Sequence, residues 1–402
     1  MSTYITNVRV FDGEHVLDAR TVGIDGTEIV SVGQQPPQDA ELVDGQGGTL
    51  LPGLIDGHVH TSLEGLRLAL AFGVTTELEM QGYWTPEQRA QIGADDEIAD
   101  VRSALLALMA PGGHPSELMG DLGDHAPDSG GWTMPSVSTP QEAVAYVNAR
   151  VAEGADYIKV MIEDGAVMGH PGLPMISTET LKAGVAEAHR LGKQVIAHAL
   201  TVAATQQALD VGVDGFAHLF IDQAHTPQII AAIADAGVFV TPCLAVSASV
   251  MGGTGVVLAE DPRVERRLPE PWLETLRGTF NTFPDGRFED VLGSVAALRD
   301  AGVDIIAGTD SSVPVPSHGG VVHGASLHHE LQLLVRAGLS PQEALRAATG
   351  TPARRFGLTD RGRIASGARA DLLLVDGDPT TRIGDSLSIR TIWRRGTATA
   401  AH

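Results

Sequence analysis

Cysteine is almost missing from this chain. Cys243 is the only one in 402 residues, which excludes an intramolecular disulfide framework and suits a reducing compartment. Basic residues are scarce as well: 27 Lys and Arg stand against 50 Asp and Glu, a formal net charge of −23. That balance lacks the basic footprint nucleic acid requires and disfavours anionic membranes; a solvated acidic surface accounts for it. No apolar run reaches the length that spans a bilayer. The opening stretch Met1-Ser-Thr-Tyr-Ile-Thr-Asn-Val-Arg-Val10 has neither the basic start nor the apolar core of a secretion signal. The expectation is a cytoplasmic protein that acts on a small molecule, without nucleic-acid or membrane partners. Apolar residues make up 43% and charged residues only 19%, the composition of a globular chain with a sizeable core. The length allows one large domain and a smaller one.

Both ends of the chain alternate in the manner of strands. Tyr4–Phe11, Ala19–Ile24 and Glu28–Val32 read as short strands near the start, and Ala370–Val375 and Ile389–Arg394 near the end. The pattern predicts that residues 1–50 and 362–402 pair into one small β-sandwich domain. Residues 51–361 lie between them and alternate apolar strands with amphipathic helices. Strands are predicted at Leu54–His60, Thr75–Glu79, Ala104–Met109, Tyr157–Met161, Val195–His198, Gly215–His218, Val238–Thr241 and Asp304–Gly308. Helices are predicted at Gln141–Glu153, Thr178–Leu191, Val202–Asp210, Thr226–Ala236 and Phe288–Ala301, several starting after Ser or Thr and ending near Gly. Eight alternations, with no nucleotide-binding glycine fingerprint after the first strand, predict an α/β fold: a (β/α)8 TIM barrel in preference to an open sheet. Two stretches, about Pro111–Pro140 and Pro242–Gly286, read as long loops on the side where barrel strands end.

Chemistry concentrates at the predicted strand ends. His58 and His60 close the first strand at i and i+2, a spacing that puts both imidazoles on one face. Lys159 lies in the fourth strand, His198 and His218 end the fifth and sixth, and Asp310 ends the eighth. In a barrel all six converge at one mouth, where they can bind metal. Each has a plainer reading: His198 and His218 as hydrogen-bonded core histidines, Lys159 as a lysine laid along apolar surface, Asp310 as a helix cap. A lysine in an apolar strand is costly to bury charged. Carboxylation by carbon dioxide would turn its amine into an anionic carbamate able to bridge two cations.

With these residues in place the chain resembles the amidohydrolase superfamily. The resemblance rests on Pro52-Gly-Leu-Ile-Asp-Gly-His-Val-His60, Lys159, His198, His218, Gly308-Thr-Asp310 and the C-terminal stretch Gly362–Pro379, and it covers essentially the whole chain. Gly112-Gly-His114, Tyr157-Ile-Lys159 and Ala337–Thr349 liken it most to the imidazolonepropionase-like and Xaa-Pro dipeptidase (prolidase-like) group. The resemblance implies a binuclear centre: one divalent metal on His58, His60 and Asp310, the other on His198 and His218, with carboxylated Lys159 bridging. Zinc suits the donors, with manganese, cobalt or iron as alternatives.

The activity so implied is hydrolysis of a C–N bond in an amide, dipeptide or N-acyl amino acid, urea or carbamate. A metal-bridging hydroxide would attack, and Asp310 would serve as general base and acid. The same centre also suits a lactonase, phosphoesterase or cyclic-imide hydrolase, and an isomerase or decarboxylase stays open. A non-catalytic amidohydrolase-like binding protein is the reading from another class; the complete ligand set counts against it. Substrate contacts are expected from His114 and Tyr83, with Trp84 beside the latter, and from His323. His170, His318 and His323 also read as structural or solvated loop histidines, and Glu330 as a surface or helix-end contact. Leu244, Val246, Trp272 and Phe280 are expected either in a lid or in the core. A carboxylate-bearing substrate calls for a cationic residue that none of these loops clearly supplies, so a neutral amide or urea competes with a dipeptide. Members of the superfamily are often oligomeric, which makes a homo-oligomer possible.

Overall fold

The computed structural model of the chain describes residues 2–119 and 134–399. The loop expected over 111–140 therefore lies partly outside the described residues. Seventeen strands are described. They are β1 (Thr3–Thr6), β2 (Arg9–Phe11), β3 (Val16–Leu17), β4 (Thr21–Asp25), β5 (Glu28–Val32), β6 (Glu41–Asp44), β7 (Thr49–Pro52), β8 (Leu54–Val59), β9 (Val74–Glu79), β10 (Asp100–Ser103), β11 (Ile158–Met161), β12 (Val195–His198), β13 (Gly215–Ala217), β14 (Phe239–Thr241), β15 (Leu372–Val375), β16 (Ile389–Arg394) and β17 (Thr397–Thr399).

The chain ends build two sheets. One has the order β5-β4-β1-β6, the other β17-β16-β15-β7-β2-β3. The second joins the two ends directly, because β15 runs antiparallel to β7 with Leu372 opposite Pro52 and Val375 opposite Thr49. Alternation is the cause: in β5, Ile29 and Ser31 are buried while Glu28 and Val30 face outward. Ile5, Val22, Ile29, Leu50, Leu372 and Trp393 meet in one apolar cluster drawn from both sheets.

Between these ends the strands are parallel. Their orders are β10-β9-β8 and β11-β12-β13-β14. Single bridges tie the segments further, Leu108 to Val160, Val240 to Ile305 and Val59 to Ser311. Strands β8, β9, β11 and β12 are buried along their whole length, as expected of parallel strands covered on both faces. The intervening helices begin where side-chain caps permit: Ser177 accepts from the Thr180 N–H, Thr201 from Ala204, and Thr139 forms a capping box with Glu142. Among the described residues no helix is long and apolar enough to cross a membrane.

Several expectations needed correction. The third central strand is Asp100–Ser103, not 104–109. Leu105 turns the chain with φ of +55°, and only Leu108 rejoins the ladder. The strand expected at 304–308 survives as the bridges at Ile305 and Ser311. Asn7, at φ +53°, splits the first predicted strand into β1 and β2. The stretch 242–286 is helical in four places, Leu244–Val250, Val256–Ala259, Pro262–Glu265 and Glu270–Arg277. Its short, Gly- and Pro-broken helices leave no readable period.

A buried ion cluster clasps the C-terminal segment to the parallel strands. Asp100, on β10, pairs with Arg361 and Arg369, and Arg361 also donates to Thr76 Oγ1. Burial would raise the Asp100 carboxyl, but the guanidinium groups of Arg361 and Arg102 hold it well below its ordinary 3.8. Its stabilising effect is therefore present above pH 3.8 and is lost as pH falls through the lower folded value. Removing one member of a buried pair strands the other, so Asp100→Asn is expected to lower unfolding free energy by about 3 kcal/mol. Guanidinium unfolding curves test this; an unshifted midpoint would mean the cluster does not hold the segment.

Candidate functional site

His58, His60, Lys159, His198, His218 and Asp310 line one cavity of about 430 Å³ at the ends of the parallel strands. The strands bring them there through close backbone approach. A Cβ on Gly57 would lie 2.4 Å from Ile306 Cγ2, and one on Gly308 would lie 2.8 Å from the His58 nitrogen. Glycine at both positions lets β8 and the Asp310 segment touch. Asp56 then locks them, accepting from the backbone N–H of His58 and Thr309 and from Thr309 Oγ1 at 2.8 Å. Burial and the neighbouring Glu77 push the Asp56 carboxyl up to about 8.

The distances are short. Asp310 Oδ1 lies 3.2 Å from His58 Nε2 and 3.0 Å from His60 Nε2, and Oδ2 lies 3.7 Å from His218 Nε2. His60 Nδ1 stands 3.1 Å from the Gln81 carbonyl oxygen, to which it donates as N–H. Its Nε2 is then an electron-pair donor turned on a carboxylate oxygen. His58 Nε2, His218 Nδ1 and Asp310 Oδ1 are buried and without a hydrogen-bond partner among the described residues. Such a gathering of unsatisfied donors is what a cation site requires. One ligand atom from each of His58, His60 and Asp310 falls within 4.8 Å of the other two, and the same holds for His58, His218 and Cys243 Sγ.

Burial, reinforced by neighbouring cationic groups, lowers His58, His198 and His218 far below the usual histidine range, keeping them neutral. Burial would raise Asp310, but His218, His60 and Lys159 hold it well below the carboxylate range. Lys159 is one of three lysines in the chain and is 1% exposed. Burial lowers its amine from 10.5 to about 7, against the pull of Asp310. Backbone strain collects at the same place: His218, Cys243 and Asp310 all have positive φ, at +98°, +50° and +59°. Left-handed non-glycine residues are costly and cluster at functional sites.

The other expected residues divide. His114 lines the cavity, with Nδ1 2.5 Å from Glu117 Oε1 and its ring 4.5 Å from that of His198. Tyr83 lines it too and is well exposed. Trp84 does not: it is buried and donates Nε1–H to Glu79, at 2.6 Å. His323 is likewise not a lining residue. Its Nδ1 faces Glu77 Oε1 at 2.8 Å, its Nε2 faces the Ser312 carbonyl at 2.9 Å, and its ring packs edge-on to Trp272. Both nitrogens are thus occupied inside the protein. His318 lines the cavity, whereas His170 is exposed and does not. Val246 and Phe280 line it; Leu244 and Trp272 are core. Glu330 is fully buried and accepts the backbone N–H of Leu244 and Ala245, so it caps the helix after β14 rather than making a surface contact. Burial pushes its carboxyl up to about 8.

Three neighbours of the site escaped sequence reasoning. Cys243 Sγ lies 3.5 Å from His58 Nδ1, Glu163 Oε2 lies 3.3 Å from His198 Nε2, and Asp56 ties the strands. Only Asp56 carried a signal, its place in Asp-Gly-His.

Comparison with known proteins gives the following likenesses. An uncharacterized protein of Mycobacterium tuberculosis is 25% identical over 365 residues, covering 87% of this chain and 84% of its own. Ochratoxinase of Aspergillus niger is 24% identical over 392 residues, covering 86% and 75%. Among solved structures, an amidohydrolase superposes with a TM-score of 0.75 at 25% identity, covering 99% of both chains. A Xaa-Pro dipeptidase with methionine bound in its active site reaches 0.74 at 21%, covering 99% and 100%. Phenylurea hydrolase B reaches 0.73 at 22%, covering 100% and 97%. The likeness to the prolidase-like group is thus one of fold. The amidohydrolase family profile itself matches residues 49–399, and over that span the chain belongs to the amidohydrolase family, as an enzyme that hydrolyses carbon–nitrogen bonds.

Proposed function

We propose that the protein is a binuclear metal-dependent hydrolase of an amide, urea or carbamate. Its scaffold is a (β/α)8 barrel over 51–361 with a small β-sandwich made from 1–50 and 362–402. The observation that carries this reading is the convergence on Asp310 Oδ1 of His58 Nε2 and His60 Nε2, at 3.2 and 3.0 Å, with the His60 proton committed to Gln81. Donors arranged in that way are stabilised by a cation between them.

His58, His60 and Asp310 would hold one divalent ion and His198 and His218 the second, with carboxylated Lys159 reaching both. Zinc suits these donors, and manganese, cobalt or iron are alternatives. When bound, the pair supplies a water acidified toward neutrality and a Lewis acid for the carbonyl oxygen. The remaining roles belong to the chain. Lys159, its amine pulled down to about 7 by burial, has in its neutral form the free electron pair that adds to carbon dioxide, forming an N–C bond and releasing a proton. Asp310 accepts a proton from the attacking water and delivers it to the departing nitrogen. His114 and Tyr83 face the substrate from the wall.

Elemental analysis alongside a panel of small amides, ureas and esters tests the reading. About two metal equivalents per chain and chelator-sensitive C–N hydrolysis are expected. Protein that takes up neither zinc nor manganese would defeat the site.

A further inference from the structure

We infer that the part of the substrate remote from the scissile bond is a neutral apolar group of ring size, not the carboxylate of a dipeptide. This rests on the C–N hydrolase reading and narrows it. The cavity has a polar floor and apolar walls. The metal-site groups gather around Asp310. The walls are drawn from Met161, Met168, Leu200, Val246, Val250 and Phe280. Among the described residues lining it, Lys159 is the only lysine or arginine and Asp310 the only carboxylate.

The sequence extends that observation to several of the segments that follow the strands. There is no Lys or Arg from Ser103 to Ala149, from Gln194 to Pro262, or from Ala301 to Val335. These stretches include the segments that follow β10, β12, β13 and the Asp310 turn. The arginines that follow these stretches are engaged elsewhere, Arg150 with Glu153, Arg263 with Asp261 and Arg336 with Glu289. A carboxylate held against these walls, away from the metal-site residues, would leave water with no described lysine or arginine to receive it, a large desolvation cost without compensation. The acidic side chains behind the floor, Glu117 and Glu163 beside His114 and His198, oppose an anion further. A cationic group fares no better, for among the described residues the walls offer it no carboxylate. Flat apolar groups, in contrast, meet a ready surface: the Phe280 and His318 rings stack at 5.1 Å and 7°, and methionine thioethers adapt to aromatic edges.

A matched pair tests the inference: 4-methylacetanilide against 4-acetamidobenzoate, which share the scissile anilide and differ by one remote charge. Each is titrated calorimetrically into the metal-loaded full chain, and hydrolysis of each is followed separately. The neutral anilide is expected to bind at least about tenfold more tightly and to show the higher kcat/KM. In the Val246→Arg variant that preference should shrink or reverse. Equal or tighter binding of the carboxylate by the unsubstituted protein overturns the inference, and so does failure of the neutral anilide to bind at millimolar concentration. Preferential binding of the neutral member without cleavage of either leaves the pocket inference standing and defeats the C–N reading instead.

Discussion

Replacing Asp310 by asparagine is expected to reduce kcat/KM at least about a hundredfold, the scale of a lost general acid–base group. Asparagine preserves shape and one carbonyl oxygen but cannot take up a proton. The carboxylate sits where His58, His60 and His218 meet, and among the described residues no second carboxylate lines the cavity to stand in for it. Its surroundings hold it well below the usual carboxylate range. Activity of the purified variant on the best substrate of the amide panel, with a melting curve to establish folding, is the measurement. Turnover within a few fold of the parent would remove Asp310 from the chemistry.

Lys159→Ala should lower metal content and activity together. The side chain is almost wholly buried among imidazoles, and no side-chain hydrogen bond to it is present among the described residues. A plain ammonium there would lose its hydration without a close partner; a carbamate would have cations to hold. Truncation to alanine leaves a space beside His198 and His218 into which acetate or propionate can diffuse. Partial return of both metal and turnover on adding such acids is the expected result, since it separates a ligand role from a packing role. Unchanged metal occupancy in the alanine variant would rule out bridging by Lys159.

Much of this was legible along the chain. Buried parallel strands announce themselves as short apolar runs, and a polar side chain that interrupts or closely follows such a run is carried into the sheet with it. For that reason His58, His60, Lys159, His198, His218 and Asp310 could be assigned to one place before any coordinates, and the pairing of the two chain ends followed from their matching alternation. Local patterns failed where a single residue redirected the backbone. Leu105 and Asn7 adopt left-handed conformations that no apolar pattern forecasts, and the third strand accordingly lies before the predicted one.

The identity of the strand-end residues was thus determined by sequence; their partners were decided by tertiary structure. His323 and Glu330 resemble other polar residues on helices and loops until the fold buries them, the first against Glu77 and the second under the helix at Leu244. Cys243 reaches His58 across 185 positions of sequence. The apolar walls of the cavity come from residues that would otherwise read as ordinary core. Periodicity reports which face of an element is buried, because that depends on neighbours along the same strand or helix. What a buried group touches depends on segments brought together only when the chain closes on itself, and that contact decides whether it is a ligand, a cap or a wall.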